Sequence, residues 1–361
     1  MAETGGAPKG TPGQTGLEGD RPKGPATISD VAARAGVSKT TVSHVLSGRR
    51  PVSEATRRKV TRAIEEMGFQ QNFFALGLSG RRSQTVALVV QDLTNPFYPA
   101  LARGLQQAVG GRDYVVLLAD VGAGTPPIEA FLNEAVQRRV DGVVVAAVDV
   151  PDRLLEPLLA SGARVVTVGS PRHGTSTDVV SSDDERIAAD AVAYLHAQGH
   201  RNLGIISGPV RVAPGSARLD GYRQALRDHG LRPLRAAEAV GDWTRDSGAK
   251  AMQRLMDLER RPTAVFCAND LMAIGALDSA RSLGLSVPSD VAVLGVDDID
   301  AAGLVSPSLT TVRVPAQEIG RVAGELLLAR IDDPSGTPLD DPSGTPRRVL
   351  VQHHLVHRES A

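Results

Sequence analysis

The chain has 361 residues, 42% of them hydrophobic, and a formal net charge of -1, which is room for a small module beside a larger two-lobed core. No apolar run is fit to span a membrane, and the one cysteine, Cys267, excludes an internal disulfide and any cysteine-based zinc cluster. Aromatic residues make up only 3%, so the core has to be aliphatic and the place of each aromatic is informative.

Residues 1–26 are glycine, proline, threonine and charge without an apolar run, neither a secretory signal nor a foldable segment, and read as a disordered tail. A cytoplasmic protein is the expectation. At Thr27 the pattern changes. Thr27 can cap a helix, and Asp30 three residues on can bond back to the cap. Ile28, Val31, Ala32 and Ala35 then form an apolar stripe, with Arg34 on the opposite face and Gly36 as the stop. Ser38 is the next N-cap. Val42, Val45 and Leu46 turn inward, while Lys39, Thr40 and His44 share the other face. A third helix runs from Ser53 as N-cap to Met67, with Gly68 beyond it and Val60, Ile64 and Met67 inside.

Two short capped helices joined by a tight turn are how a DNA-reading helix-turn-helix is built. An outward lysine, threonine and histidine can meet phosphates, base edges or a thymine methyl. Charge supports this over a merely solvated helical hairpin. Between Thr27 and Arg82 ten basic residues (Arg34, Lys39, Arg49, Arg50, Arg57, Arg58, Lys59, Arg62, Arg81, Arg82) face four acidic ones (Asp30, Glu54, Glu65, Glu66), an excess of six in a chain of net charge -1. After Met67 the stretch Asn72 to Arg82 is apolar and glycine-bearing, marginal as a helix by itself in water.

From Thr85 short apolar runs alternate with helical stretches: Val86 to Val90, Val115 to Ala119, Gly142 to Val148, Val165 to Gly169, Leu203 to Gly208, Ala264 to Ala268 and Val291 to Gly295. Strand alternating with helix predicts parallel sheets covered on both faces, with ligands outside the carboxyl ends of the strands. Polar groups cluster at those ends: Asp92 and Asn95, Asn269 and Asp270, Asp297 and Asp298. Each suits either a turn cap or the hydroxyls of a small ligand. Arg218 opens a helix, and the only tryptophan, Trp243, offers a flat apolar face on which a sugar ring could stack. Cys267 closes an apolar run and reads as a small buried filler.

No P-loop, strand-linked Gly-x-Gly-x-x-Gly or Gly-x-Ser-x-Gly elbow is present, and His353-His354 has no carboxylate or cysteine nearby in sequence to complete a metal set. Neither catalytic nor metal-binding residues, nor any cofactor, are therefore expected, and an enzyme is disfavoured. Asp332 to Leu339 recurs as Asp340 to Arg347 with only the last residue changed, a duplicated loop, after which Val349 to Arg358 reads as one final strand.

The segment Ser38-Lys39-Thr40-Thr41-Val42-Ser43-His44-Val45 resembles the headpiece of the lac repressor family of bacterial transcription regulators, and the resemblance runs on through the chain. It includes Asn95-Pro96-Phe97-Tyr98, Asp141-Gly142, Gly199-His200-Arg201, Arg218-Leu219-Asp220-Gly221-Tyr222, Ala268-Asn269-Asp270 and Gly295-Val296-Asp297-Asp298. It implies a helical headpiece over 27–71, a hinge helix and linker over 72–84, and a two-lobed effector domain like the periplasmic sugar-binding proteins over 85–361. Lobe one is expected at about 85–182 and 312–331, lobe two at about 183–311 and 348–361, with 332–347 as the duplicated loop. Operator contact falls by resemblance on Thr27, Ser29, Ser38, Lys39, Thr40, Thr41 and His44, with Ala75 and Leu78 at the minor groove. Effector contact falls on Asn95, Phe97, Arg218, Trp243, Asn269 and Asp297. His200 and Arg201 are assigned structural work. The implied protein is a homodimer on approximately palindromic double-stranded operator DNA, with no membrane partner, controlled by a small molecule, a sugar or alternatively a nucleobase or nucleoside. A second purine-contacting arginine of relatives would fall at Val212, with Arg211 one residue away, which favours the sugar.

Overall fold

The computed structural model describes residues 26–47, 50–69, 82–122, 125–146, 150–169, 177–211, 213–333 and 346–361. Residues 1–25 of the tail expected over 1–26, the hinge with Ala75 and Leu78, Val212 and most of the duplicated loop lie outside them. By its contacts the chain forms two units, residues 1–73 and 74–361.

The first unit is three helices, α1 (Ile28–Ala35), α2 (Lys39–Ser47) and α3 (Glu54–Met67). Local chemistry sets their ends. The Thr27 backbone N–H donates to Asp30 Oδ2 at 2.8 Å and the Thr27 hydroxyl oxygen accepts from Asp30 N at 3.3 Å, the reciprocal box that satisfies two orphan donors. Ser38 Oγ accepts from Thr41 N at 3.0 Å and Ser53 Oγ from Thr56 N at 3.3 Å. Gly36 and Gly68, at φ of 64° and 58°, end α1 and α3 in the left-handed region that a side chain disfavours. Val31, Ala32, Val42, Val60 and Ala63 make the core, with Ile28, Val45, Leu46, Ile64 and Met67 packed around it. Arg34 is not simply solvated: it bonds Glu66 of α3 at 2.5 Å.

The second unit holds two six-stranded sheets. The first contains β1 (Thr85–Val90), β2 (Val115–Asp120), β3 (Gly142–Ala146), β4 (Arg164–Val168), β5 (Asp178–Ser181) and β11 (Arg348–Leu350), in the order β11-β5-β4-β3-β1-β2, all parallel. The second contains β6 (Leu203–Ser207), β7 (Glu238–Val240), β8 (Ala264–Cys267), β9 (Ala292–Asp297), β10 (Thr310–Arg313) and β12 (His354–Val356), in the order β12-β10-β9-β8-β6-β7, parallel except for the β10–β12 pair. Helices α4 (Phe97–Gly110), α5 (Thr125–Gln137), α6 (Glu156–Ala160), α7 (Asp184–Ala197), α8 (Gly215–Asp228), α9 (Arg245–Met256), α10 (Asp270–Ser282) and α11 (Ala316–Asp332) connect and cover them. Every residue of β3, β6 and β8 is buried, as continuous apolar runs between helical layers require.

Three of these features depart from the sequence expectations. β10 lies wholly in the second sheet, so the chain returns to the first lobe only after Arg313, through α11, which packs on α4. That packing brings two helix backbones together: a Cβ on Gly104 would lie 1.8 Å from the Gln317 carbonyl oxygen, so only glycine fits there. The expected final strand over 349–358 and the assignment of all of 348–361 to lobe two are also corrected. Arg348, Val349 and Leu350 pair with Val179, Val180 and Ser181 in the first sheet, and only His354–Val356 reaches the second. An edge strand of three residues with Leu350 exposed carries no burial pattern to read. β5, β7 and β10, each three or four residues long, are too short to show a period in the sequence.

Candidate functional site

On the first unit, Lys39 and Thr40 are exposed on the first turn of α2, and His44 one turn on is half-buried. Thr27 and Ser38 carry caps, and Thr41 shares a 2.9 Å hydroxyl contact with Ser38, so these three also hold the helix starts. Ser29 is half-buried at the start of α1. Ala75 and Leu78 lie outside the described residues.

On the second unit, one cleft of about 380 Å³ is lined by Asn95, Phe97, Arg218, Trp243, Asn269 and Asp297, all six of the expected effector residues, together with Asp92. Gln91, Tyr98, Asp120, Gly122, Pro214 and Asp242 complete the lining. The cleft draws on the carboxyl ends of β1, β2, β6, β7, β8 and β9 and the loops that follow them, where parallel sheets place ligands.

Trp243 is held from several sides. Asp242 Oδ1 accepts from Thr244 N at 3.1 Å and from its hydroxyl at 2.5 Å, and Thr244 in turn caps α9. Asn269 caps α10 through Met272 N at 3.0 Å while its amide donates to the Trp243 carbonyl at 3.0 Å. Both the capping and the cleft-lining readings of Asn269 thus apply at once. Gly208 lies under the indole: a Cβ there would sit 2.2 Å from the ring. Trp243 at φ 76°, Asp297 at 114° and Asp298 at 60° are non-glycine residues in the left-handed region, a local cost that the surrounding bonds sustain and that tends to gather at ligand sites.

Arg218 is buried, its Nε 3.0 Å from Asp184 Oδ1 and its Nη1 donating to the Ala268 carbonyl. Asp184, at the start of α7, was missed because 34 residues of chain separate it from its partner. Asp297 accepts no side-chain hydrogen bond among the described residues. Burial pushes its carboxyl up to about 7, with Arg218 pulling down and Asp184 pushing further up. Tyr98 is also raised by burial, and Phe97 meets it edge to face at 5.6 Å. Asp242 is lowered, chiefly by the Thr244 hydroxyl.

Two proposed ligand grips do not line the cleft. Asp270 is wholly buried, accepting from the Thr311 hydroxyl at 2.6 Å and Ile299 N at 3.0 Å, and so fastens the loop after β9; burial raises its carboxyl well above the usual range. Asp298 pairs with Arg313 at 2.5 Å and Arg358 at 2.6 Å. Arg211 is exposed and is not in the lining. His353 does have a carboxylate neighbour, Asp190 Oδ2 at 3.0 Å, brought to it from α7, yet no group of three metal-ligating side chains occurs among the described residues. His200 bonds Thr263 at 3.0 Å and Arg201 the His196 carbonyl at 2.9 Å. Cys267 is buried, with its thiol pushed up by desolvation. No described helix is long and apolar enough to cross a membrane.

Residues 27–72 match the model for bacterial regulatory proteins of the lacI family, and residues 192–361 match a periplasmic binding protein-like domain. The chain is 36% identical over 310 residues to the HTH-type transcriptional repressor CytR of Escherichia coli (strain K12), an alignment covering 84% of this chain and 89% of that one. Among solved structures it is similar to the transcriptional regulator CelR–cellobiose complex at 35% identity and a TM-score of 0.71, covering 93% of this chain and all of that one. It is also similar to the Lac repressor dimer bound to operator and the anti-inducer ONPF, at 25% identity and a TM-score of 0.82, covering 93% and 99%. A capped helix-turn-helix joined to a two-sheet cleft, with identity at this level along most of the chain, makes the protein a member of the lacI family, a DNA-binding transcriptional repressor whose hold on its operator is controlled by a small-molecule effector.

Proposed function

We propose that the effector is a sugar and that two copies of the chain bind an approximately palindromic operator, with a regulatory rather than a catalytic role for the cleft. The observation that carries the sugar reading is Trp243, a flat apolar face set in one cleft with the free carboxylate of Asp297 and the amide of Asn95. Sugars present just that pair of surfaces, an apolar ring face and an edge of hydroxyls. The CelR complex, which holds cellobiose, supports it. Because Trp243 is the only tryptophan, its fluorescence can be titrated with sugars directly. Trp243→Ala is expected to weaken the bound sugar by about 1 to 3 kcal/mol through lost ring burial. A response to purines or nucleosides with none to sugars would replace the sugar with the nucleobase reading.

For the headpiece, Lys39 is proposed as a phosphate or base contact and Thr40 and His44 as base contacts, with Thr27, Ser29, Ser38 and Thr41 at the backbone and Ala75 and Leu78 at the minor groove. Two-fold symmetry of the protein calls for two half-sites. Thr40→Ala and His44→Ala should each cost about 1 to 3 kcal/mol on operator and little on random DNA, since base contacts specify while phosphate contacts position. Gel-shift titrations on both DNAs check this, and equal losses on the two would remove these residues from base readout.

A further inference from the structure

The described cleft lining carries four carboxylates, Asp92, Asp120, Asp242 and Asp297, against one cation, Arg218. They come from both sheets, so any ligand between the lobes meets negative charge on each side. Three of the four are held in place by hydrogen bonds, and those to Asp242 favour its ionised form. Asp92 Oδ1 accepts from Thr94 N at 2.8 Å, Asp120 accepts from Leu93 N at 3.0 Å and Gly122 N at 3.2 Å, and Asp242 accepts from Thr244. The arginine does not offset them. Its Nε and Nη1 are engaged by Asp184 and the Ala268 carbonyl, and the buried Asp184 carboxylate balances its charge.

Helix starts, the other common source of anion-binding donors, are largely closed. Asn95 Oδ1 takes the Phe97 N–H at 3.1 Å at the start of α4, and Asn269 takes Met272 N at the start of α10. Two described helices reach the cleft with a proline at the N-cap and no side-chain cap bond, α4 after Pro96, where Asn95 already takes the Phe97 N–H, and α8 after Pro214. Each macrodipole is worth about half a positive charge, against the carboxylates of Asp92, Asp120 and Asp242.

We infer that the cleft selects uncharged polyhydroxylated ligands and excludes phosphorylated or carboxylated ones. This rests on the sugar reading for the ring, but the charge argument stands apart from it. Hydroxyls donate into fixed carboxylates as charge-assisted bonds, whereas a phosphate of roughly -1.5 to -2 would find repulsion and, among the described residues, no free cation.

Two measurements on the full chain test it. The first needs no identified ligand: collisional quenching of Trp243 by caesium and by iodide, each normalised to its own quenching of free N-acetyltryptophanamide. Caesium is expected to quench several-fold better than iodide, and Asp120→Asn with Asp242→Asn to narrow the difference; equal quenching, or iodide ahead, overturns the inference. The second is calorimetry with ribose, cellobiose and cytidine, each beside its phosphate ester. For whichever neutral compound binds, the ester should bind at least about 100-fold more weakly, and an ester binding as tightly as its parent overturns the inference. If cytidine binds and both sugars fail, the sugar reading falls while charge selection survives; if none binds, the quenching result decides.

Discussion

Arg218→Ala is expected to lower the stability of the effector domain by about 3 to 5 kcal/mol, the usual consequence of removing one partner of a buried ion pair. Both side chains are 7% exposed, so water cannot take over the role of the guanidinium. The variant removes the guanidinium's bonds to the Asp184 carboxylate at the start of α7 and to the Ala268 carbonyl after β8. Urea unfolding followed by Trp243 fluorescence, which reports on this domain alone, measures the loss. Replacing the pair together, Arg218→Met with Asp184→Leu, should recover much of it because no buried charge then remains. A single variant within about 1 kcal/mol of the parent would mean that the pair is hydrated. Effector binding should vanish in both variants, which separates the role of the arginine in folding from its role at the ligand.

Asp297→Asn should do the reverse, weakening the effector while strengthening the empty protein. The side chain has no hydrogen-bond partner among the described residues, so its acceptor capacity faces the cleft; exchanging a charged acceptor for an amide should cost about 1.5 to 3 kcal/mol of ligand affinity, roughly tenfold to 150-fold. Stability moves the other way because burial raises the folded pKa from 3.8 to about 7. An acid with a raised folded pKa holds its proton more tightly in the native state. Its contribution is therefore most favourable below the unfolded value, declines as pH climbs between the two, and is lost above about 7. Asparagine is neutral throughout. The variant should melt higher than the parent at about pH 8, with the gap closing toward about pH 4. Parallel melting curves across that range would show that Asp297 is solvated in the empty cleft. Activity set against stability at one residue is the ordinary trade-off of a ligand site.

Near-neighbour chemistry made the headpiece readable. Thr27 and Asp30, Ser38 and Thr41, and Ser53 and Thr56 lie three residues apart, so one turn of helix brings cap and donor together without help from the rest of the chain. The long apolar strands were equally plain, since β1, β3 and β8 are buried along nearly their whole length and carry the signal in composition alone. The six residues expected at the effector followed from family resemblance, and their meeting in one cleft follows from the fold's habit of placing ligands at strand ends. What lay beyond reach depends on pairs far apart in sequence. Asp184 meets Arg218 across 34 residues, Asp270 meets Thr311 across 41, and β11 finds β5 after a separation of about 170, measured as Arg347 N to Asp178 at 169. Such contacts leave no local period, because each is a single interaction made possible only when two sheets have formed. Whether Asp270, Asp297 or Asp298 would face the ligand was decided in the same way. Their sequence surroundings are alike, and only packing buries the first, opens the second to the cleft and gives the third to two arginines.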